Sequence, residues 1–321
     1  MKENKSTKDK TEEQTMKTKI TETKFTSALG LTGWLISRVA CLGAVILICS
    51  NASAQNVFVS GCHCGGDIPN DAACGRIFEF TWNGAQSIFA SGLNDPGDLA
   101  FDSTGNLFVV DYEIGHIHNC ATIYKYSQNG SPVTFASGLS VPLYLAVDKA
   151  GALFVADYEQ GVIYKYKPTG SRAKFASELY HPVAMAFDRA GNLFVVDNSI
   201  GNIYQGSIYV YKPDGSRGIF AVLEPSDRPS ALAFDTKGNL VMADLDGNIY
   251  KYDPHGVRTT VGSVPNSAQS LAVDNAGNLF VVDGNAIYKF TPQGGKSMFA
   301  KGQPLGETFA CLAFQPEVCC Q

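Results

Sequence analysis

Leu99-Ala100-Phe101-Asp102-Ser103-Thr104-Gly105-Asn106-Leu107-Phe108-Val109-Val110-Asp111 is a phrase the chain repeats, and its returns decide the fold. Copies run over Leu145–Asp157, Met185–Asp197, Leu232–Asp244 and Leu271–Asp283. Their first aspartates stand at 102, 148, 188, 235 and 274, in steps of 46, 40, 47 and 39 residues. A period of this size marks stacked supersecondary units, none of which can bury its apolar face alone. Within each copy a short apolar run meets an Asp-x-x-Gly-Asn or similar turn and then a β-rich run ending in Asp. Gly and Asn suit the left-handed backbone of a tight turn, so the phrase predicts a hairpin.

Working outward, each copy continues into an aromatic strand: Ile123–Tyr126, Ile163–Tyr166, Ile208–Tyr211, Ile249–Tyr252 and Ile287–Phe290. A polar turn such as Lys212–Ser216 follows, and then a fourth strand: Thr134–Ser137, Lys174–Ser177, Ile219–Val222, Thr259–Gly262 and Ser297–Ala300. Four short antiparallel strands per period of about 40 residues predict the blade of a β-propeller. No stretch from residue 55 onward shows sustained helical periodicity.

A sixth blade is assembled from both ends. Asn56–Ser60, Ile77–Phe80 and Ser87–Ala90 match the second, third and fourth strands, and Cys311–Gln315 supplies the first. The expected fold is all-β, a six-bladed propeller over 55–321 whose shared blade closes the ring and removes exposed sheet edges.

The phrase Asp-x-x-Gly-Asn-Leu-Phe-Val-Val-Asp resembles the NHL-repeat family and the wider group of six-bladed propellers that includes gluconolactonase-like proteins. The resemblance covers residues 55–321 and concerns architecture, because such propellers include binding domains as well as enzymes. It implies a divalent metal held by an early acidic residue with Asn and Asp in the tunnel. Here the corresponding strand, Cys311–Gln315, has no carboxylate and no Glu-Gly-Pro-like opening is present. Lyases on such propellers use several channel histidines, and no repeat strand contains one. Gly-x-Ser-x-Gly, His-Glu-x-x-His and phosphate-loop motifs are absent.

Residues 1–54 read as a separate segment. Lys-rich polar sequence runs to Arg38, Val39–Ser50 is apolar, and Ala52-Ser53-Ala54 forms a small-x-small site before Gln55. This predicts a secretory signal and a secreted, periplasmic or otherwise extracytoplasmic domain, with an uncleaved N-terminal membrane anchor as the alternative. Met16 is an alternative start to Met1. The chain carries net charge −5, of which 1–54 contributes +3, leaving −8 for the propeller. An acidic domain without a basic stripe argues against nucleic acid.

Seven of the nine cysteines follow the leader: Cys62, Cys64, Cys74, Cys120, Cys311, Cys319 and Cys320. Export favours disulfides, and a staple from Cys311 to the neighbourhood of Cys62 and Cys64 is expected across the closing blade. His63, His116 and His118, with Cys120, are a candidate zinc or copper cluster. No cofactor is required; calcium or zinc is the divalent ion to consider.

The long inserts Gly61–Gly75, Glu113–Ala121 and Asn198–Ser207 gather on one face, where recognition on repeated scaffolds usually lies. Asp111, Asp157, Asp197, Asp244 and Asp283 should ring that face, either binding a cation or polar ligand or capping their own turns. Positions where blades differ are more informative: Asp98, Tyr144, Ala184, Ala231, Ser270 and Cys311 precede the Leu-Ala step, and inter-blade loops carry Asp95, His181 and Arg228. Asp98 and Tyr144, with His181 and Arg228, suit a small polar pocket. The expected protein is a monomeric binding module for a protein, glycan or small polar ligand, and a metal-dependent lactonase or esterase is the alternative.

Overall fold

The computed structural model describes residues 55–62, 75–112, 121–128, 130–198, 206–284, 286–302 and 308–316. The leader, His63, His116, His118, Cys64, Cys74, Cys120, Cys319, Cys320 and most of the three long inserts lie outside them.

The described residues form six four-stranded antiparallel sheets and no helix. Blades I to V span Asp95–Leu139, Pro142–Ala176, Pro182–Val222, Pro229–Ser263 and Ser270–Lys301. Blade VI takes its innermost strand, Thr308–Phe314, from the C-terminal end and the other three, Val57–Cys62, Gly75–Phe80 and Gln86–Leu93, from the N-terminal side. Val57 stands opposite Phe314, Phe58 opposite Ala313 and Val59 opposite Leu312. The Gln315 amide donates to the Asn56 carbonyl at 3.1 Å, extending that pairing past the strand. The innermost strands touch their neighbours all the way round, so the ring is closed.

The chemistry of each strand follows its depth. Second strands such as Leu107–Tyr112 are covered by strands on both edges and by blades on both faces, and they are apolar almost throughout. Outermost strands such as Arg217–Val222 are exposed or half-buried along their whole length. Between blades, one phenyl ring repeatedly bridges two others. Phe58 sits 5.0 Å from both Phe89 of its own blade and Phe101 of the next, and Phe154, Phe194 and Phe280 repeat the arrangement. The edge-to-face contacts contribute about 0.5–1.5 kcal/mol each beyond area burial.

The Asp-x-x-Gly-Asn turn holds itself. The Asp102 carboxylate accepts from the Thr104 amide at 3.0 Å, the Asn106 amide at 2.9 Å and Asn106 Nδ2 at 2.8 Å. Burial opposes its charge, but the Asn106 and Thr104 donors and then Lys125 hold it below the usual carboxylate range. Gly105, at φ 81°, takes the left-handed position the turn requires. These turns occupy one end of the channel; the inter-blade loops occupy the other.

Innermost strands begin earlier than their apolar runs suggest, at Asp95, Pro142, Pro182 and Pro229. Proline is tolerated as the first residue of a strand, where its missing N–H interrupts no ladder.

Candidate functional site

Five of the six innermost strands shift register against their second strand just where they face the channel. The shifts fall between Pro96 and Leu99, Pro142 and Tyr144, Pro182 and Ala184, and Pro229 and Ala231, and in blade VI between Val59 and Gly61. A bulge kinks the strand and re-aims the next side chain. Asp98, Tyr144, Ala184, Ala231, Ser270 and Cys311 therefore come together around one cavity of about 100 Å³, with Ser230 and Gln269 beside them. Sequence position alone grouped these six; they converge because each lies at the equivalent point of an innermost strand, with a bulge re-aiming the chain in every blade but the fifth.

Asp98 is the single charged residue in that lining. Leu145 of the next blade donates its amide to Asp98 Oδ2 at 2.7 Å. The Leu99 amide and the Cys311 thiol also reach the carboxylate. Burial raises Asp98 to about 6, and those three donors only partly offset it. Cys311 is pushed well above the usual thiol range, first by burial and then by Asp98, so it stays protonated and donates. Ser270 reaches the Cys311 sulfur in turn, while its Oγ accepts the Leu312 amide at 3.2 Å. Ser270, Cys311 and Asp98 thus run in series across blades V, VI and I. The Tyr144 phenol is also held protonated by burial, with Cys311 and Asp98 adding to the effect.

Tyr112, which the sequence reading passed over, supports the acid from behind. Its hydroxyl donates to the Pro142 carbonyl at 2.6 Å. A Cβ on Gly97 would lie 2.7 Å from Tyr112 Cε2, so only glycine lets this ring pack against the chain beside Asp98. The Pro-x-X-Leu/Met-Ala spacing of blades I to IV is the signal that marks the bulge in sequence.

Cys311 is a free thiol lining the channel, and of its expected partners Cys62 is out of reach while Cys64 lies outside the described residues. Cys62 pairs with Thr308, while Ser60 donates to and accepts from the Cys311 backbone, at 3.5 and 3.1 Å. Three residues along a strand is about 10 Å, beyond the reach of a disulfide.

The strand-end aspartates lie outside the cavity lining, and their carboxylates are engaged by backbone amides. Asp111 accepts from Asn94 and Asp95, both at 2.9 Å; Asp157 from Ser140 and Val141 at 2.9 and 3.2 Å; Asp197 from Tyr180 and His181 at 2.9 and 2.8 Å. Asp244 accepts from Asp246 and Asn248 at 3.0 and 2.7 Å, and Asp283 from Ala286 at 3.0 Å. They clamp loops; they do not present a free ring of oxygens. His181 stacks on Tyr158 at 4.3 Å, and Arg228 is exposed and paired with Asp246 at 3.2 Å. Neither lines the cavity.

A larger cleft of about 760 Å³ opens at the turn end of the channel, over Val147, Phe187, Phe234 and Val273. Its rim acids Asp188, Asp235 and Asp274 each accept both the amide and the side-chain nitrogen of their own turn asparagine. That rim offers little unengaged polarity.

No protein-family model and no curated protein sequence matches the chain. Solved structures do match. A protein provisionally described as a gluconolactonase is 18% identical with TM-score 0.58, covering 71% of this chain and 84% of that one. A gluconolactonase from Xanthomonas campestris is 19% identical with TM-score 0.55, covering 70% and 78%. A virginiamycin B lyase from Staphylococcus aureus is 15% identical with TM-score 0.51, covering 65% and 71%. At these identities the likeness is one of fold.

The fold is that of a six-bladed propeller, and the gluconolactonases among its structural neighbours raise the question of a divalent ion. The cavity offers one carboxylate, and among the described residues no three of His, Cys, Asp or Glu converge on a point. Calcium takes six to eight oxygens and zinc four N, S or O ligands. The described residues do not fit either ion.

Proposed function

We propose that this propeller is an exported binding module whose channel takes a small polar ligand at the long-loop end, seated against Asp98. One observation carries the reading. Six equivalent innermost-strand positions meet there, and one of them holds a carboxylate that takes its donors from neutral groups and lines a cavity. Tyr144 and Gln269 supply further polar groups to the same space. Concave sites with a few convergent polar groups and a perturbed acid are where ligands generally bind. Export is part of the proposal because Gln55, directly after the small-x-small site, already belongs to blade VI through its Nε2 bond to the Gln315 carbonyl at 3.0 Å.

Hydrolysis of a lactone or ester is the competing reading, supported by the gluconolactonase structures among the neighbours. A thermal-shift screen of small polar compounds, run beside lactone and ester turnover assays, separates the two. Saturable stabilisation without turnover, lost in Asp98→Asn, is expected. Turnover that scales with added divalent metal would replace the binding reading with the hydrolytic one.

A further inference from the structure

The channel's charge balance says more about its ligand. Asp98 is surrounded by the Leu145 and Leu99 amides and the Cys311 thiol, all neutral donors. Lysine, arginine and histidine are absent from the cavity lining. Acids of the repeat turns take cations: Asp102 has Lys125 at 3.4 Å, Asp148 has Lys165 at 3.1 Å and Asp235 has Lys251 at 3.5 Å. The channel acid, like the buried strand-end aspartates, has neutral donors and no cation, but unlike them it lines a cavity, and an enclosed carboxylate without a counter-charge is unfavourable.

An ionised carboxylate has about four acceptor positions. The Leu145 and Leu99 amides and the Cys311 thiol account for three, and Asp98 lines the cavity. Tyr144, Ser230, Gln269 and Ser270 make the rest of the lining largely polar and uncharged, which suits a ligand carrying a further polar group beside its charge. Size is restrictive: a cavity of about 150 Å³ accommodates benzene, so about 100 Å³ admits only a few heavy atoms.

We infer that the channel recognises a small organic ammonium group, its N–H donors meeting Asp98 and its other polar groups meeting the uncharged polar lining. The inference rests on the reading that this channel is the ligand site. A bare metal cation is disfavoured by the shortage of oxygens, and an anion by the like charge of Asp98.

Three two-carbon probes that share one hydroxyl test it on the full chain: ethanolamine (protonated), ethylene glycol (neutral) and glycolate (anionic), with calcium chloride as a fourth. Binding is followed by calorimetry and thermal shift at neutral pH. Ethanolamine alone should bind, and Asp98→Asn should weaken it tenfold or more. In the unaltered protein its affinity should also fall progressively below pH 6, a readout that does not depend on the variant folding. If glycol or glycolate binds as well as ethanolamine, the ammonium inference is wrong while the channel remains a ligand site. Calcium binding without ethanolamine binding overturns it in favour of a metal. If no probe binds at tens of millimolar while larger uncharged polar compounds protect the channel, charge recognition fails alone; if nothing protects it, both readings fail.

Discussion

Replacing Asp98 with asparagine should remove a pH-dependent instability that the protein carries between about pH 4 and pH 6. In the folded protein the carboxyl is raised from 3.8 to about 6, chiefly by burial. A group that holds its proton longer folded than unfolded favours the folded state while protonated. Below the unfolded value both states bind the proton and Asp98 contributes nothing. As pH rises toward 6 the unfolded chain ionises freely and the folded one does not, so stability falls; above 6 the loss is complete. About two units at 1.36 kcal/mol each gives about 3 kcal/mol, and the opening of the channel to water reduces this to about 1–3 kcal/mol. For a domain of this size that is about 2–6 °C in Tm. Asparagine keeps an oxygen for the Leu145 amide and has nothing to titrate. Thermal melts of both proteins from pH 4 to pH 7.5 should therefore start close together and diverge, with the variant more stable at neutral pH. Asp111, also raised by burial, is common to both and cancels. Parallel curves would show that Asp98 is well solvated, and the argument from an enclosed charge would fail with them.

Gly97→Ala should cost about 1–3 kcal/mol by driving Tyr112 off its site; chemical denaturation measures it, and Tm unchanged within a degree would mean Tyr112 moves freely. Arg258→Met should cost about 1–3 kcal/mol, because Asp227 loses bonds at 2.6 and 2.8 Å while its side chain is only 3% exposed; the loss should persist in high salt, unlike that of the exposed Arg228–Asp246 pair. Leu312→Ala should cost about 2–4 kcal/mol, and removal of residues 308–321 should abolish cooperative unfolding, since the innermost strand of blade VI would be missing. An unchanged transition after that truncation would contradict ring closure. Intact mass of the exported protein should place its first residue at Gln55.

Much of this fold is legible because the repeat states it five times. Hairpins, aromatic strands and the split blade all follow from phrases whose spacing and turn residues agree with one another. Strand ends are less legible. Blade I's fourth strand extends to Pro132–Leu139 beyond the expected Thr134–Ser137, since backbone pairing continues through Pro132 and Val133 at one end and to Leu139 at the other. The site was half visible. Asp98 and Tyr144 stand out as departures from the repeat, but nothing in composition tells that the ring brings Ser270 and Cys311 to them. Cysteine content pointed Cys311 toward a disulfide, and only the register, with two residues opposite Ser60, turns it to the channel. The aspartates that end the second strands looked equally available because sequence does not show which backbone amides are waiting for an acceptor.

That contrast separates scaffold from function. Asp111, Asp157 and Asp197 recur because each blade needs the same loop held, and their charge is matched locally by amide donors. Asp98 holds one amide of the next blade, a task the Ser270 hydroxyl performs equally well between blades V and VI without any charge. Closure of the ring therefore needs an acceptor at this position and does not need a carboxylate. A carboxylate here should lower stability at neutral pH, in a position where alanine, serine and tyrosine are all accommodated by neighbouring blades. Under the proposed binding role, a residue that opposes folding and is structurally replaceable is explained by the ligand it would meet in the channel.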